Sequence, residues 1–511
     1  MIWKELVEQV SALEVAGDSG EPLRGIEPLR GIEYDSRPVR PGAVFVAMAG
    51  GSTDGNRYID QAIEAGAAGV ITDSREAMHR LISARPGFPV LLVQHGRRAL
   101  AEASAAFFQH PERRLAATGV TGTNGKTTTT YLTASLLNAM GRKTVLVGTI
   151  EYRIAGEVRP SIHTTPESRD LFALMAEGVG RGATEFVAEV SSHALDQGRV
   201  LGIPFDVAVF TNLTRDHLDY HRTLENYFAA KRLLFDGARY PTPRVAVLNA
   251  NDASGVELAG ISRQAGSEVR TYGIGQGDWR ADNVSLLPGG AAFQLHTPEG
   301  SATVSSRLAG EVNILNLLAA CCATHARGAA FADIVAAIPH LAAVPGRFQP
   351  VDAGQPFTVI VDYAHTDDAL RNLTTLARKM QEGAAAGGRV ITVFGCGGDR
   401  DRTKRPKMGE AAGQGSDLVV ATSDNPRSED PLAILADIEP GLKSTGVRYF
   451  VEPDRALAIR LALHSARPHD IVLIAGKGHE KEQILADRKV AFDDAEIALS
   501  TLRELGYGGV Q

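Results

Sequence analysis

The chain has 511 residues, of which 44% are hydrophobic, and a formal net charge of −7. That length exceeds a single core and predicts about three domains. The acidic balance argues against a polyanion-binding surface and nucleic-acid partners, leaving room only for local basic phosphate pockets.

The three cysteines, Cys321, Cys322 and Cys396, show neither metal-ligand spacing nor an even disulfide count, so packing thiols in a reducing, cytoplasmic compartment are expected. The opening "MIWKELVEQVSALEV" sets Ile2, Leu6, Val10 and Leu13 at helical spacing, with charges too early for a signal peptide. No apolar run reaches membrane-spanning length, so no membrane insertion is expected. A tandem "EPLRGI", at Glu21 to Ile26 and Glu27 to Ile32, is too short for a solenoid repeat and reads as a lengthened loop.

From there, strand-like runs ("AVFVAMAG", "AGVITD", "PVLLVQ") alternate with helical ones and predict a small N-terminal α/β domain over 1–112. The segment "RLAATGVTGTNGKTTTTYLTASLLNAMG" then runs from an apolar strand through a glycine-rich turn into a helix with Leu132, Leu136 and Leu137 on one face. Strands at "KTVLVGT", "TEFVAEV", "FDVAVFTN" and "RVAVLNA" follow at helix-length intervals, which predicts a central parallel sheet over 113–345. Beyond Pro345 and Gly346, the runs "FTVIVDYAH", "RVITVFGCGG", "DLVVATSDNP" and "DIVLIAGKG" each end in a polar or glycine turn. They predict a Rossmann-like C-terminal α/β domain over 346–511, with ligands at the carboxyl ends of its strands.

Gly122, Thr123, Asn124, Gly125, Lys126, Thr127 and Thr128 follow a strand and open a helix, the context of a phosphate loop. The usual spacing would put its first glycine at Val120, so the loop is a variant. Backbone N–H groups would cradle the phosphates of ATP, with Lys126 as a point charge and the Thr127 hydroxyl toward Mg²⁺. Glu189 closes the strand of "EFVAEVSSHALDQGR" and offers the metal a hard oxygen ligand. His217, in "TNLTRDHLDYH", lies at the end of the next strand. In "SDNPRSEDP", Asp424, Asn425 and Pro426 shape a turn that presents Arg427, either as a solvated loop residue or as a carboxylate fork.

The motifs "TGTNGKTTT", "HTTPE", "EVSSHAL", "TNLTRDHLDYH", "NYFAAKRLLF", "LAGEVNILNLLAA", "VPGRFQ", "DYAH", "GCGGDRD", "SDNPRSEDP" and "AGKGHE", in this order, resemble the Mur ligases over nearly the whole chain. That family makes amide bonds in peptidoglycan precursors at the expense of ATP. The resemblance implies a monomeric, ATP- and Mg²⁺-dependent enzyme that joins meso-2,6-diaminopimelate to UDP-N-acetylmuramoyl-L-alanyl-D-glutamate through an acyl phosphate. An L-lysine-adding ligase or a folylpolyglutamate synthase-like ligase is the alternative enzyme, and a nucleotide-binding scaffold the non-catalytic one.

By resemblance, Glu189 and His217 hold Mg²⁺, and Lys231 is carboxylated to a metal-linked carbamate. Asn313 and Asn316 match the nucleotide-side motif. Tyr34, Ser36, Gly51, Ser52 and Thr53 match positions for the uridine diphosphate end, and His163, Thr164, Thr165, Ser191, Gln197 and Arg199 those for the sugar and peptide. Arg400, Asp424, Asn425, Pro426, Arg427, Gly476 and Glu480 match the diaminopimelate site. Pattern alone reads Lys231 as an exposed helix lysine and the two asparagines as polar helix positions. Asp367, where many relatives have proline, implies a local turn change without loss of activity.

Overall fold

The computed structural model describes residues 1–17, 28–51, 53–287, 290–382 and 387–508, so Ser52 and most of the "EPLRGI" duplication lie outside the described residues. The chain divides into two compact units, Met1–Trp279 with Ala319–Ile334, and Arg280–Leu318 with Val335–Gln511.

The first unit carries two sheets. The smaller has the order Ala12–Ala16, Val90–Val93, Gly69–Thr72, Ala43–Ala47, Gly31–Glu33, with only the first pair antiparallel. The larger contains, in order, Glu268–Ile274, Val245–Asn249, Phe205–Phe210, Ala116–Thr121, Glu185–Glu189 and Thr144–Val147, all parallel. Apart from Glu268–Ile274, which is more polar and partly exposed, these strands are short, mainly apolar runs buried on both faces, as helices on either side of a parallel sheet require. Leu132, Leu136 and Leu137, on the helix Lys126–Ala139, are at most 1% exposed. Each contributes about 1.5–3 kcal/mol of burial free energy.

One sequence expectation fails here, and one element was not foreseen. The N-terminal helix covers only Trp3–Val7, and Leu13 lies in the strand Ala12–Ala16, exposed to 60%. The helical spacing was coincidental beyond Val10, because the two-residue alternation of a sheet edge took over. The antiparallel hairpin Glu151–Ile154 with Glu157–Pro160 went unread, since its strands have only four residues each.

In the second unit, antiparallel pairing joins Trp279–Leu287 to Gly290–Thr297 and the latter to Gly300–Ser306. The C-terminal sheet has the order Gln349–Pro350, Thr358–Asp362, Ile471–Ala475, Val390–Cys396, Leu418–Ser423, Arg448–Val451, parallel after the first pair. Helices Asp367–Glu382, Lys404–Gly415 and Pro431–Thr445 pack one face and Arg455–Ser465 and Asp494–Glu504 the other. Because Ile471–Ala475 inserts between Thr358–Asp362 and Val390–Cys396, the strand order reverses there. A crevice at the carboxyl ends is the ligand position this topology favours. Asp367 is the first residue of its helix, with the Thr366 hydroxyl accepting from Ala369 N at 3.2 Å. Proline and aspartate are both at home at that helical position, so no turn change is required.

Candidate active site

The phosphate loop leaves the strand Ala116–Thr121 and enters the helix Lys126–Ala139 through Gly125, whose φ is +85°. Gly122 has φ +147°, and a Cβ there would sit 1.9 Å from Thr211 Oγ1, so only glycine fits. The loop is tied to the neighbouring strand end: Asn124 N donates to Asn212 Oδ1 at 2.9 Å, and Thr211 Oγ1 to Asn124 O at 2.6 Å. Lys126 arches back over the loop, its Nζ 2.9 Å from Gly122 O and 2.7 Å from Thr123 O.

Lys231 reaches the same carbonyl, with Nζ 2.7 Å from Gly122 O and 4.3 Å from the centre of the Tyr227 ring. It is 1% exposed, which corrects its reading as a surface lysine. Burial, reinforced by the Lys126 charge, pushes its pKa well below the usual lysine value.

Glu189 is also buried. Its carboxylate accepts from the Thr127 hydroxyl at 3.0 Å and from the amide and hydroxyl of Thr149 at 2.7 and 3.0 Å. Thr149 was missed in the sequence, although it directly follows the strand Thr144–Val147 and Gly148, where a ligand-side residue belongs. His217 takes a left-handed backbone, φ 52°, and packs edge-on to His193 with ring centroids 4.8 Å apart. Burial, with the charges of His193, Lys126 and Lys231, lowers its pKa to about 4 against the opposing pull of Asp216. Among the described residues, no three His, Cys, Asp or Glu side chains form a metal cage by themselves.

The "HTTPE" loop is bonded into this region. Thr164 Oγ1 lies 3.0 Å from Thr149 Oγ1, and Thr165 Oγ1 donates to Glu189 O at 2.8 Å. Thr165 also meets Ser191, whose N donates to its hydroxyl at 3.1 Å, and Arg199, whose Nη1 donates to its carbonyl at 3.0 Å. Arg199 in turn grips Gln197 Oε1. His163 is exposed and accepts the Tyr152 hydroxyl through its carbonyl.

A cavity of about 530 Å³ is lined by Gly51 and Gln197 together with Arg97, Arg98, Arg239 and Tyr220. The three arginines were not singled out in the sequence, where each reads as an ordinary helix or loop residue. Tyr34, Ser36 and Thr53 stay outside this lining: their hydroxyls are engaged with Asp170, Gln61 and Tyr58. In the second unit, Asn313 and Asn316 are buried on the helix Glu311–Ala326, with Asn313 Nδ2 donating to Ala309 O at 2.9 Å.

At the C-terminal sheet, the strand Leu418–Ser423 ends in Asp424 and Asn425, both buried, and in Arg427 with φ 53°. Arg427 Nη1 donates to Gly398 O at 2.7 Å. A Cβ on Gly397 would lie 2.9 Å from Arg427 Nη1 and 3.7 Å from Arg400 Cγ, so both arginines flank one glycine turn. Fully buried Arg405 braces that turn through Glu429 and Asp437. Gly476, φ +116°, lies under Asp424, and Glu480 accepts from Asn425 Nδ2 at 2.8 Å.

Family models match three consecutive segments: the Mur ligase family catalytic domain at 28–108, the Mur ligase middle domain at 120–324, and the Mur ligase glutamate ligase domain at 346–478. The chain is 48% identical over 482 residues to a protein of Solibacter usitatus named UDP-N-acetylmuramoyl-L-alanyl-D-glutamate--2,6-diaminopimelate ligase, covering 94% of this chain and 95% of the other. A protein of the same name from Geobacillus thermodenitrificans is 45% identical over 478 residues, covering 93% and 94%. A solved structure bearing that name superposes with TM-score 0.68 at 33% identity, covering 94% of this chain and 96% of that one.

Proposed function

Because the chain belongs to the Mur ligase family of three-domain, ATP-dependent amide-forming enzymes, we propose that the residues described above divide one ligation among them. The reaction adds 2,6-diaminopimelate to UDP-N-acetylmuramoyl-L-alanyl-D-glutamate in peptidoglycan precursor synthesis. The N-terminal, central and C-terminal domains take 1–112, 113–345 and 346–511.

A carboxylate is a poor acyl donor to an amine, so it is first phosphorylated. The substrate carboxylate attacks the γ-phosphorus of ATP and ADP leaves. The amine of the incoming amino acid then attacks the acyl phosphate, and inorganic phosphate leaves from the tetrahedral intermediate. Such chemistry needs charge placed where it develops more than it needs a protein nucleophile.

The loop amides and Lys126 receive the phosphates. Glu189, the Thr127 hydroxyl and His217 are the groups that would hold Mg²⁺, which would supply charge neutralisation to the phosphates. A neutral Lys231 amine is the form that would add CO₂, giving a carbamate and a proton and so placing an anionic group where a charged lysine would repel a cation. Thr165, Ser191, Gln197 and Arg199, with the arginines of the 530 Å³ cavity, hold the UDP-substrate. Arg400, Arg427, Asp424, Asn425, Gly476 and Glu480 hold the amino acid.

The observation that carries the amino-acid assignment is the Arg427 guanidinium, fixed on Gly398 O and flanked by Arg400, across the turn from the acidic Asp424 and Glu480. An amino acid with charged groups of both signs at its two ends is what that arrangement complements. We read the enzyme as a cytoplasmic monomer; no helix among the described residues is long and apolar enough to cross a membrane.

An amino-acid screen with purified protein is the test. ADP release is expected only with both the UDP-muramoyl dipeptide and meso-2,6-diaminopimelate. Release with L-lysine alone as acceptor would overturn the assignment.

A further inference from the structure

Among the residues that surround the amino-acid site, Lys477 has no part in the scheme above, yet it is fully buried, with 0% of its surface exposed. An ammonium without solvent must be paired and hydrogen-bonded to be tolerated. Its Nζ lies 2.9 Å from Glu480 Oε2, 3.0 Å from Asn425 Oδ1 and 3.9 Å from Asp424 Oδ1. These are the acidic and amide groups assigned to the amino acid, and they come from two different strand ends.

The same contacts dictate the orientation of Asn425. Its Oδ1 accepts from Lys477 and, at 2.9 Å, from Ile484 N, while its Nδ2 donates to Glu480 Oε2. A flipped amide would set its two hydrogens against an ammonium and a backbone N–H, so the cation allows one orientation only. Both bonds to Glu480 fall on Oε2. Burial tends to raise the Glu480 pKa, but the Lys477 charge and the hydrogen bonds from Lys477 and Asn425 prevail and hold it below the usual carboxylate range.

The floor beneath this cluster is fixed as well. Arg455, 1% exposed, forks onto Asp494 and donates to Ala475 O at 3.0 Å and Ser423 O at 3.4 Å, the last residues of the two strands. Lys477 therefore works against a stiff frame.

We propose that Lys477 is a positioning residue that cross-links the 424–425 turn to the 476–480 turn, engages Glu480 Oε2, and so turns Glu480 Oε1 toward the ammonium of the incoming amino acid. This rests on the assignment of the C-terminal strand ends to that amino acid. Lys477 makes no contact with the substrate in this scheme; it acts through Asn425 and Glu480.

Steady-state kinetics with each of the three substrates varied in turn tests it. Lys477→Met keeps an unbranched side chain one atom shorter and removes its charge. It is expected to raise KM for meso-2,6-diaminopimelate by about 10-fold or more, with KM for ATP and for the UDP-substrate changed less than about 2-fold. Lys477→Arg, which retains charge and donors, is expected to recover most of that loss. A folded Lys477→Met enzyme with unchanged amino-acid KM overturns the proposal, as does an equal rise in all three KM values or an arginine variant as poor as the methionine one. If Lys477→Met fails to melt cooperatively, Lys477→Gln takes its place; if neither folds, the lysine is a folding residue and the proposal falls. Wild-type protein that does not use meso-2,6-diaminopimelate would refute the underlying assignment instead, which separates the two failures.

Discussion

Arg427 stands in the left-handed region with φ 53°, a backbone that costs an L-residue about 1–2 kcal/mol and that glycine would adopt freely. An arginine kept there points to a need for its fork. meso-2,6-Diaminopimelate differs from lysine by a second carboxylate, and lysine would leave the half-buried guanidinium without that partner, at a cost of about 1–3 kcal/mol. In competitive synthesis, wild type is expected to prefer meso-2,6-diaminopimelate strongly, and Arg427→Ala to lose roughly 30-fold or more of kcat/KM for it without becoming a good lysine ligase. An unchanged preference in the variant would assign the arginine to the loop alone. Lys231 gives a second residue-scale prediction. Its pKa is depressed on folding, so the unfolded chain binds more protons in the window between the folded value and the ordinary 10.5. Stability must therefore rise with pH across that window. In CO₂-free buffer, urea unfolding should show wild type gaining on Lys231→Met as pH increases from neutrality toward 10.5. Parallel profiles would mean that the lysine titrates normally.

At the scale of elements, the pair Arg455–Asp494 has both side chains fully out of solvent, with Nη2 and Oδ2 2.7 Å apart. Removing one partner strands a buried charge, so Arg455→Ala should lower stability by about 3–5 kcal/mol in denaturant unfolding, whereas Arg455→Met with Asp494→Leu should cost far less. A cost below about 1 kcal/mol for the single variant would show that water reaches the pair. Nothing in "EPDRALAIRLAL" announces this arginine: it follows the capping Asp454 at a helix start, where charge normally faces solvent. Arg405 and Lys477 were hidden for the same reason, because a long cation is read as solvated unless its partners are known, and Glu429 lies 24 residues from Arg405, Asp494 39 from Arg455 and Asn425 52 from Lys477. The strands that carry the site were legible. Runs such as "RVITVFGCGG" and "DIVLIAGKG" are apolar on both faces, and that pattern alone sets them in a parallel sheet with their glycine ends together. The pairing of Glu151–Ile154 with Glu157–Pro160 carries a weaker signal, since only Tyr152 and Ile154 alternate into the core and four residues are too few to establish a period.

For the whole molecule, the proposed phosphate loop belongs to the first compact unit and the strand ends proposed for the amino acid to the second. Ligands should therefore leave separate footprints. In hydrogen-exchange experiments, the phosphates of an ATP analogue should protect 120–128 and the amides near Thr149 and Glu189, while meso-2,6-diaminopimelate should protect 397–400, 424–427 and 476–480. Protection of the phosphate loop by the amino acid alone would contradict that division.

All three cysteines, Cys321, Cys322 and Cys396, are buried and unpaired. Burial pushes their thiols up, that of Cys396 to about 12, so little thiolate is present at neutral pH and none of it faces solvent. The native chain is thus a natural blank for maleimide chemistry. Native protein should remain unlabelled while denatured protein takes up three equivalents. A single cysteine introduced at an exposed position such as Asp399 would then carry a fluorophore beside the Arg427 turn on an otherwise silent background, and occupancy of the amino-acid site could be followed by its emission.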